Sequence, residues 1–247
     1  MHHFKLERLF LWKQITMKPI LETDQDFICD IHAPCFQMLT SEEVELVRAS
    51  KTQVFFRKGD HLTKQGAFAS YVLFLINGLA IQYIEGDGSK NFNLCVIKPG
   101  EFVGLSTVFT TNTFNYSAVA LTDCQIFLVE KTAIAKVVQQ NGMFGFNIIK
   151  RYCEQNNNLF DTLRNMMYKQ MNGRMADTLL YLESLKAEYP DIFLHLSRKD
   201  IADFAGTSTE SAVKLLKSFE KDRLIELYEK DIHVLDRENL LKISKVG

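Results

Sequence analysis

The chain has 247 residues, 47% of them hydrophobic and 24% charged, a soluble globular composition that can bury a real core and excludes disordered and fibrous classes. Lys plus Arg number 29 against 30 Asp plus Glu, so any nucleic-acid or membrane partner must be met by a local patch rather than by overall charge. No apolar run approaches a membrane span, the longest strong one being Tyr71 to Ile76, and no membrane partner is expected.

Residues 1–25 read as an arm of unassigned role. Leu9-Phe10-Leu11-Trp12 is too short for a signal-peptide core, and Met17 offers an alternative start. Without a secretion signal, the cysteines at 29, 35, 95, 124 and 153 read as reduced thiols of a cytoplasmic protein. Thr40-Ser41-Glu42-Glu43 opens a helix, with Thr40 or Ser41 as its cap and the acids suited to its positive end. From Gln53 to Val129 short apolar runs alternate with turns: Val54 to Phe56, Tyr71 to Ile76, Ala80 to Ile84, Phe92 to Ile97, Tyr116 to Leu121 and Gln125 to Val129. That spacing predicts an antiparallel sandwich or barrel, a sensor-sized unit over 26–135.

Helical periodicity follows for roughly forty residues, and 136–170 is read as one dimerisation helix. Ile149, Asn156 and Leu163 fall seven apart, with Tyr152, Leu159 and Met166 at the alternate positions. This is a dimer seam in which Asn156 would meet its twin and fix register; packing within the same chain is the other reading. Residues 171–247 then give an amphipathic helix over Arg174 to Glu188, a short helix capped by Ser197, and a turn at Ala205-Gly206-Thr207. A second helix capped by Ser208 spans Thr209 to Lys221, and a hairpin follows around Glu229-Lys230-Asp231.

Helix, glycine turn, helix and wing make a winged helix-turn-helix. In its second helix Ala212, Leu215, Leu216 and Phe219 form one buried stripe. Thr209, Glu210 and Lys214 are then free to read base edges, Glu210 accepting from cytosine and Lys214 donating to guanine. Arg198, Lys199, Thr207, Ser208 and Lys217 sit where phosphates would be met. For any single lysine the alternative is a solvated helix surface, and residues 171–247 are not basic overall, so the ordered unit rather than the charge count carries the reading.

In order and motif the chain resembles the CRP/FNR family of bacterial transcription regulators. The resemblance rests on Phe56-Arg57-Lys58-Gly59-Asp60, Gln65-Gly66, Gly78, Pro99-Gly100-Glu101-Phe102 and Gly104, then on Leu196 to Ala202, Gly206 and Thr209 to Leu216. It implies an α+β protein: an N-terminal antiparallel β-roll of the jelly-roll, cyclic-nucleotide-binding type, a long dimerisation helix, and a C-terminal winged helix-turn-helix. It also implies a cytoplasmic homodimer that reads an inverted repeat of double-stranded DNA and works with RNA polymerase. The family usually carries Arg at the position of Lys214, and Lys makes a looser contact to guanine.

The cyclic-nucleotide members hold the phosphate with a Gly-Glu pair and a following Arg. Here Gly104 precedes Leu105, and no Arg stands between Arg57 and Arg151, which argues against a cyclic nucleotide. Phe102, Leu105, Val108, Phe114 and Tyr116 instead suggest an apolar effector pocket, or one filled by its own side chains. Iron–sulfur members need four cysteines. Cys29, Cys35 and Cys124 match three, with Asp26 in place of the first. A redox- or gas-sensing form with a cluster on these, or haem on His32 or His61, is thus the alternative to a protein without cofactor. A cupin-like enzyme would need a histidine cluster, yet His61 is the only histidine between Gln53 and Glu130, so no enzyme is expected. A ligand-binding regulatory subunit without DNA binding would leave the capped helix pair unexplained.

Overall fold

A computed structural model describes residues 36–87, 90–110 and 112–247. The arm lies outside the described residues, as do Asp26, Cys29, His32 and Cys35, the expected cluster or haem ligands. Helix α1 (Ser41–Ala49) leads into eight strands: β1 (Lys51–Phe56), β2 (His61–Thr63), β3 (Tyr71–Asn77), β4 (Ala80–Glu85), β5 (Asn91–Ile97), β6 (Phe102–Val103), β7 (Ser117–Ala120) and β8 (Cys124–Glu130). They pair antiparallel into two four-stranded sheets, β1-β8-β3-β6 and β2-β7-β4-β5.

The run in β3 has no alternation because both its faces are buried. Leu73 and Leu75 point between the sheets with Ile126, Ala118, Ala120 and Ile97. Val72 and Phe74 point the other way, under the helices, with Phe36, Phe102, Phe127 and Phe144. Phe74 is the centre of that layer: its ring lies 4.9 Å from Phe36 and 4.9 Å from Phe102, both edge-on. Such geometry adds about 0.5–1.5 kcal/mol per pair beyond area burial.

The helical stretch expected as one element is two. Helix α2 (Lys131–Gln140) ends at Asn141, whose φ of −114° and ψ of 97° break the ladder, and α3 (Gly142–Tyr168) starts anew. Asn141 caps α3 by accepting from the Phe144 N–H at 2.9 Å. Its amide also donates to the Glu43 carboxylate at 2.8 Å, which in turn accepts from the Thr40 N–H at 2.8 Å. Glu43 thus closes a capping box on α1 and ties that helix to the α2–α3 break.

The Thr40 N–H and then the Asn141 amide hold the Glu43 carboxyl below its ordinary value of 4.5. A lowered carboxylate stabilises the fold above its unfolded value and loses that contribution as pH falls through the folded one. Glu43→Ala is expected to cost about 1 kcal/mol near neutral pH. That deficit should shrink as melting is followed down through the acid range below 4.5; a gap constant with pH would count against the assignment.

The C-terminal unit holds α4 (Met171–Leu185), α5 (Ile192–His195), α6 (Arg198–Phe204), α7 (Thr209–Lys221), β9 (Ile225–Tyr228), β10 (Asp231–Val234) and α8 (Arg237–Val246). Helix α4 begins three residues before the expected Arg174 and stops three before Glu188. This unit packs on the outer face of the second sheet, where Ile81 and Val96 share a core with Met175, Leu179, Ile201 and Leu216. Strand β5 is that sheet's edge, and the C-terminal unit satisfies it: the Val96 N–H donates to Tyr181 Oη at 2.8 Å. The buried Asn93 amide donates to the Asp200 carbonyl at 3.0 Å. An edge covered in this way offers no template for pairing with another chain.

Candidate nucleic-acid interface

Ser197 accepts from the Asp200 N–H at 3.1 Å, and the Asp200 carboxylate accepts from the Ser197 N–H at 2.7 Å, so a capping box starts α6. Gly206 makes the turn with a φ of +60°, and Ser208 caps α7 by accepting from the Ser211 N–H at 3.2 Å. Ala212, Leu216 and Phe219 are buried and Leu215 packs against the same core. That fixes the rotation of α7, and Thr209, Glu210, Lys214 and Lys217 are left exposed on its open side. None of these four makes an ion pair among those of the described residues.

The residues assigned to phosphates divide. Ser208 and Lys217 are exposed. Arg198 is turned to the wing, donating to the Glu229 carbonyl at 2.9 Å, and burial lowers its pKa. It buttresses the left-handed Glu229 turn, φ +52°, where the hairpin reverses. Lys199 pairs with Asp203 at 2.5 Å, and the Thr207 hydroxyl is 3.2 Å from Met171 Sδ. A β-wing of β9 and β10, turning at Glu229 and Lys230 as expected, completes the unit.

The five apolar residues assigned to one effector pocket lie in two different layers. Phe102, Leu105 and Val108 face the helices, whereas Phe114 and Tyr116 face the space between the sheets. Gly104, φ +77°, lies under the Phe114 ring so closely that a Cβ would fall 2.4 Å from it. Its N–H donates to Tyr116 Oη at 2.7 Å. The Phe114 ring thus covers Gly104, the Gly104 amide is taken, and Leu105 beside it is buried. Arg151 is spent on the Gly100 carbonyl at 2.7 Å.

Sequence reasoning missed a cavity of about 210 Å³ between the second sheet and α3. Gln82, Cys95, Asn115, Tyr116, Tyr152 and Asn156 line it, all uncharged, and only Tyr116 belongs to the expected pocket. Its signal was the neutral amide and hydroxyl run on α3, legible only once α3 is known to cross that sheet. Cys124, the fourth cluster ligand in the iron–sulfur alternative, is fully buried and donates to the Leu79 and Thr122 carbonyls at 3.3 Å. Burial pushes its thiol up to about 11.

On α3 the seam residues Ile149, Tyr152, Asn156, Leu159 and Leu163 are all exposed in the single chain. Met166 is not among them. Its methyl lies against Gly206, 2.5 Å from where a Cβ would stand, so it joins α3 to the helix-turn-helix.

Comparison with known proteins follows the same division of the chain. Residues 53–141 match the cyclic nucleotide-binding domain, and residues 173–243 match the Crp-like helix-turn-helix domain. The chain belongs to the CRP/FNR family. Like the rest of that family of transcription regulators, this CRP/FNR protein binds DNA through its helix-turn-helix. It is 25% identical to the anaerobic regulatory protein of Bacillus subtilis over 211 residues, covering 83% of this chain and 88% of the relative. It is 24% identical to the cAMP-activated global transcriptional regulator CRP of Salmonella typhimurium, covering 70% and 84%. A CRP/FNR-family structure from Eubacterium rectale superposes with a TM-score of 0.70 at 18% identity, covering 86% of this chain and 98% of that one. Among the described residues no helix is long and apolar enough to cross a membrane.

Proposed function

We propose that this CRP/FNR regulator is a cytoplasmic homodimer that reads an inverted-repeat operator, works with RNA polymerase, and does so without a cyclic nucleotide. The observation that supports it best is the open face of α7, with Thr209, Glu210 and Lys214 exposed above a buried stripe. A two-fold axis along the α3 seam would set two such helices in successive major grooves, with half-sites about 34 Å apart. The ring of Phe114 over Gly104 supports independence from cyclic nucleotides.

Selection from random duplexes with the full-length protein is the direct test. Recovered sites should be inverted repeats bound by two protomers, and direct repeats or unrelated sequences would overturn the reading. Cyclic AMP or cyclic GMP at 1 mM should leave the melting temperature unmoved. A micromolar ligand at that concentration would stabilise by about 4 kcal/mol, an effect too large to miss.

A further inference from the structure

Four of the chain's eight methionines, Met166, Met167, Met171 and Met175, fall within ten residues, where α3 hands over to α4. Two of them bear on the turn that aims α7. The Met166 methyl stands 2.5 Å and its Sδ 2.9 Å from where a Gly206 Cβ would be, and the Phe92 ring of β5 lies 3.3 Å from the same point. The Thr207 hydroxyl donates to Met171 Sδ at 3.2 Å, and the next residue, Ser208, caps α7. The end of α3, the edge strand β5 and the helix-turn-helix therefore meet at one thioether.

Access differs along the run. Met175 is fully buried in the core of the C-terminal unit, whereas Met167 is 65% and Met171 39% exposed. Met166, Phe92, Gly206 and Thr207 are all half-buried, so a molecule the size of water or peroxide reaches the joint while larger ones do not. Thioether sulfur is the group there that such an oxidant converts, and the product is reversed by dedicated reductases.

We propose that Met166 is an oxidative modification site through which hydrogen peroxide releases the protein from its operator. Attack by Met166 Sδ forms a sulfur–oxygen bond and breaks the oxygen–oxygen bond. Sulfur gives up two electrons, and the displaced hydroxide takes the proton from the transferred oxygen and leaves as water. The product is a polar sulfoxide, bulkier than the thioether. At Met166 its oxygen has no room, because the sulfur and methyl already occupy the gap that a glycine leaves. The turn at 206–207 is driven off α3, and the aim of α7 goes with it. At Met171 the same change is benign, since a thioether is a weak acceptor and a sulfoxide oxygen serves the Thr207 hydroxyl at least as well. The inference rests on the operator reading above and adds a control to it.

The experiment treats the full-length protein with hydrogen peroxide and follows binding to the selected inverted-repeat duplex, with peptide mass spectrometry on the same samples. Affinity should fall about tenfold or more, the equivalent of a lost base contact, in step with sulfoxide at Met166. Dithiothreitol alone should leave the loss in place, and methionine sulfoxide reductases A and B should restore binding. Met166→Leu, a swap of similar volume, should bind close to the parent and keep binding after peroxide, whereas Met171→Leu should still lose it. Full affinity with Met166 oxidised, a loss that dithiothreitol alone restores, or a loss that tracks sulfoxide at Met167 or Met171 would overturn this inference and leave the operator reading standing. So would Met166 remaining a thioether while Met167 is converted. Unoxidised protein that selects no duplex would overturn the operator reading itself.

Discussion

Glu210→Ala is expected to lower affinity for the operator on the order of 100-fold while raising affinity for random duplex. The two effects have different origins. A good base contact is worth about 1–3 kcal/mol of discrimination, and a dimer makes it twice. The same carboxylate is a negative charge beside phosphates, so its removal favours sequence-independent binding. Lys214→Ala should lose a similar specific affinity but also lose non-specific affinity, because there the charge removed is positive. Lys217→Ala, as a phosphate contact, should weaken all sequences alike and reduce the salt slope by about 1 per protomer. All three side chains are exposed and free of ion pairs among the described residues. Stability should therefore stay within about 0.5 kcal/mol. Titrations of operator and random duplex with each variant at two salt concentrations would show this. Equal losses on both duplexes for Glu210→Ala would remove Glu210 from the base-reading set.

The helix caps were legible because capping is local chemistry: Thr40 before α1, and Ser197 and Ser208 before the pair that aims α7, each stand one residue before the helix they cap. The strands of the sensor were legible from apolar runs bounded by glycine turns. Two strands were not. β6 has two residues and β2 three, too short to show any period, and both exist through pairing with distant strands. The break between α2 and α3 is carried by Asn141-Gly142, a signal that the helical periodicity on either side masks. The effector pocket failed for a different reason. Phe102 and Leu105 differ from Phe114 and Tyr116 only in which side of a sheet they face, and composition carries no information on that. The wing contact of Arg198 was not legible either: its partner is a main-chain carbonyl 31 residues on, which no side-chain pattern announces.

Gly78→Ala should be the most damaging single methyl in the β-roll, and Gly59→Ala is its control. Both glycines hold a φ that L side chains rarely adopt, +92° and +91°. The strain of placing alanine there is about 1–2 kcal/mol in either case. Around Gly59 a Cβ meets nothing within 4 Å, so strain is the whole expected cost. At Gly78 the Cβ would stand 2.3 Å from the Asp123 carbonyl oxygen and 2.9 Å from the Cys124 Cα. Those are backbone atoms, and they are pinned. The Leu79 carbonyl accepts from the Leu121 N–H at 2.8 Å, the Thr122 N–H at 3.1 Å and the Cys124 thiol at 3.3 Å. The Leu79 N–H donates to the Thr122 hydroxyl at 2.8 Å. Relief of the clash must break this set, which joins the β3–β4 turn to the start of β8, so an overpacking cost of about 1–3 kcal/mol adds to the strain. For a chain of this length each 1 kcal/mol moves the midpoint by about 2–4 °C. Gly59→Ala should then melt roughly 3–6 °C below the parent and Gly78→Ala roughly 10 °C or more below it. Equal shifts would mean that the β3–β4 turn yields freely and that its hold on β8 contributes nothing.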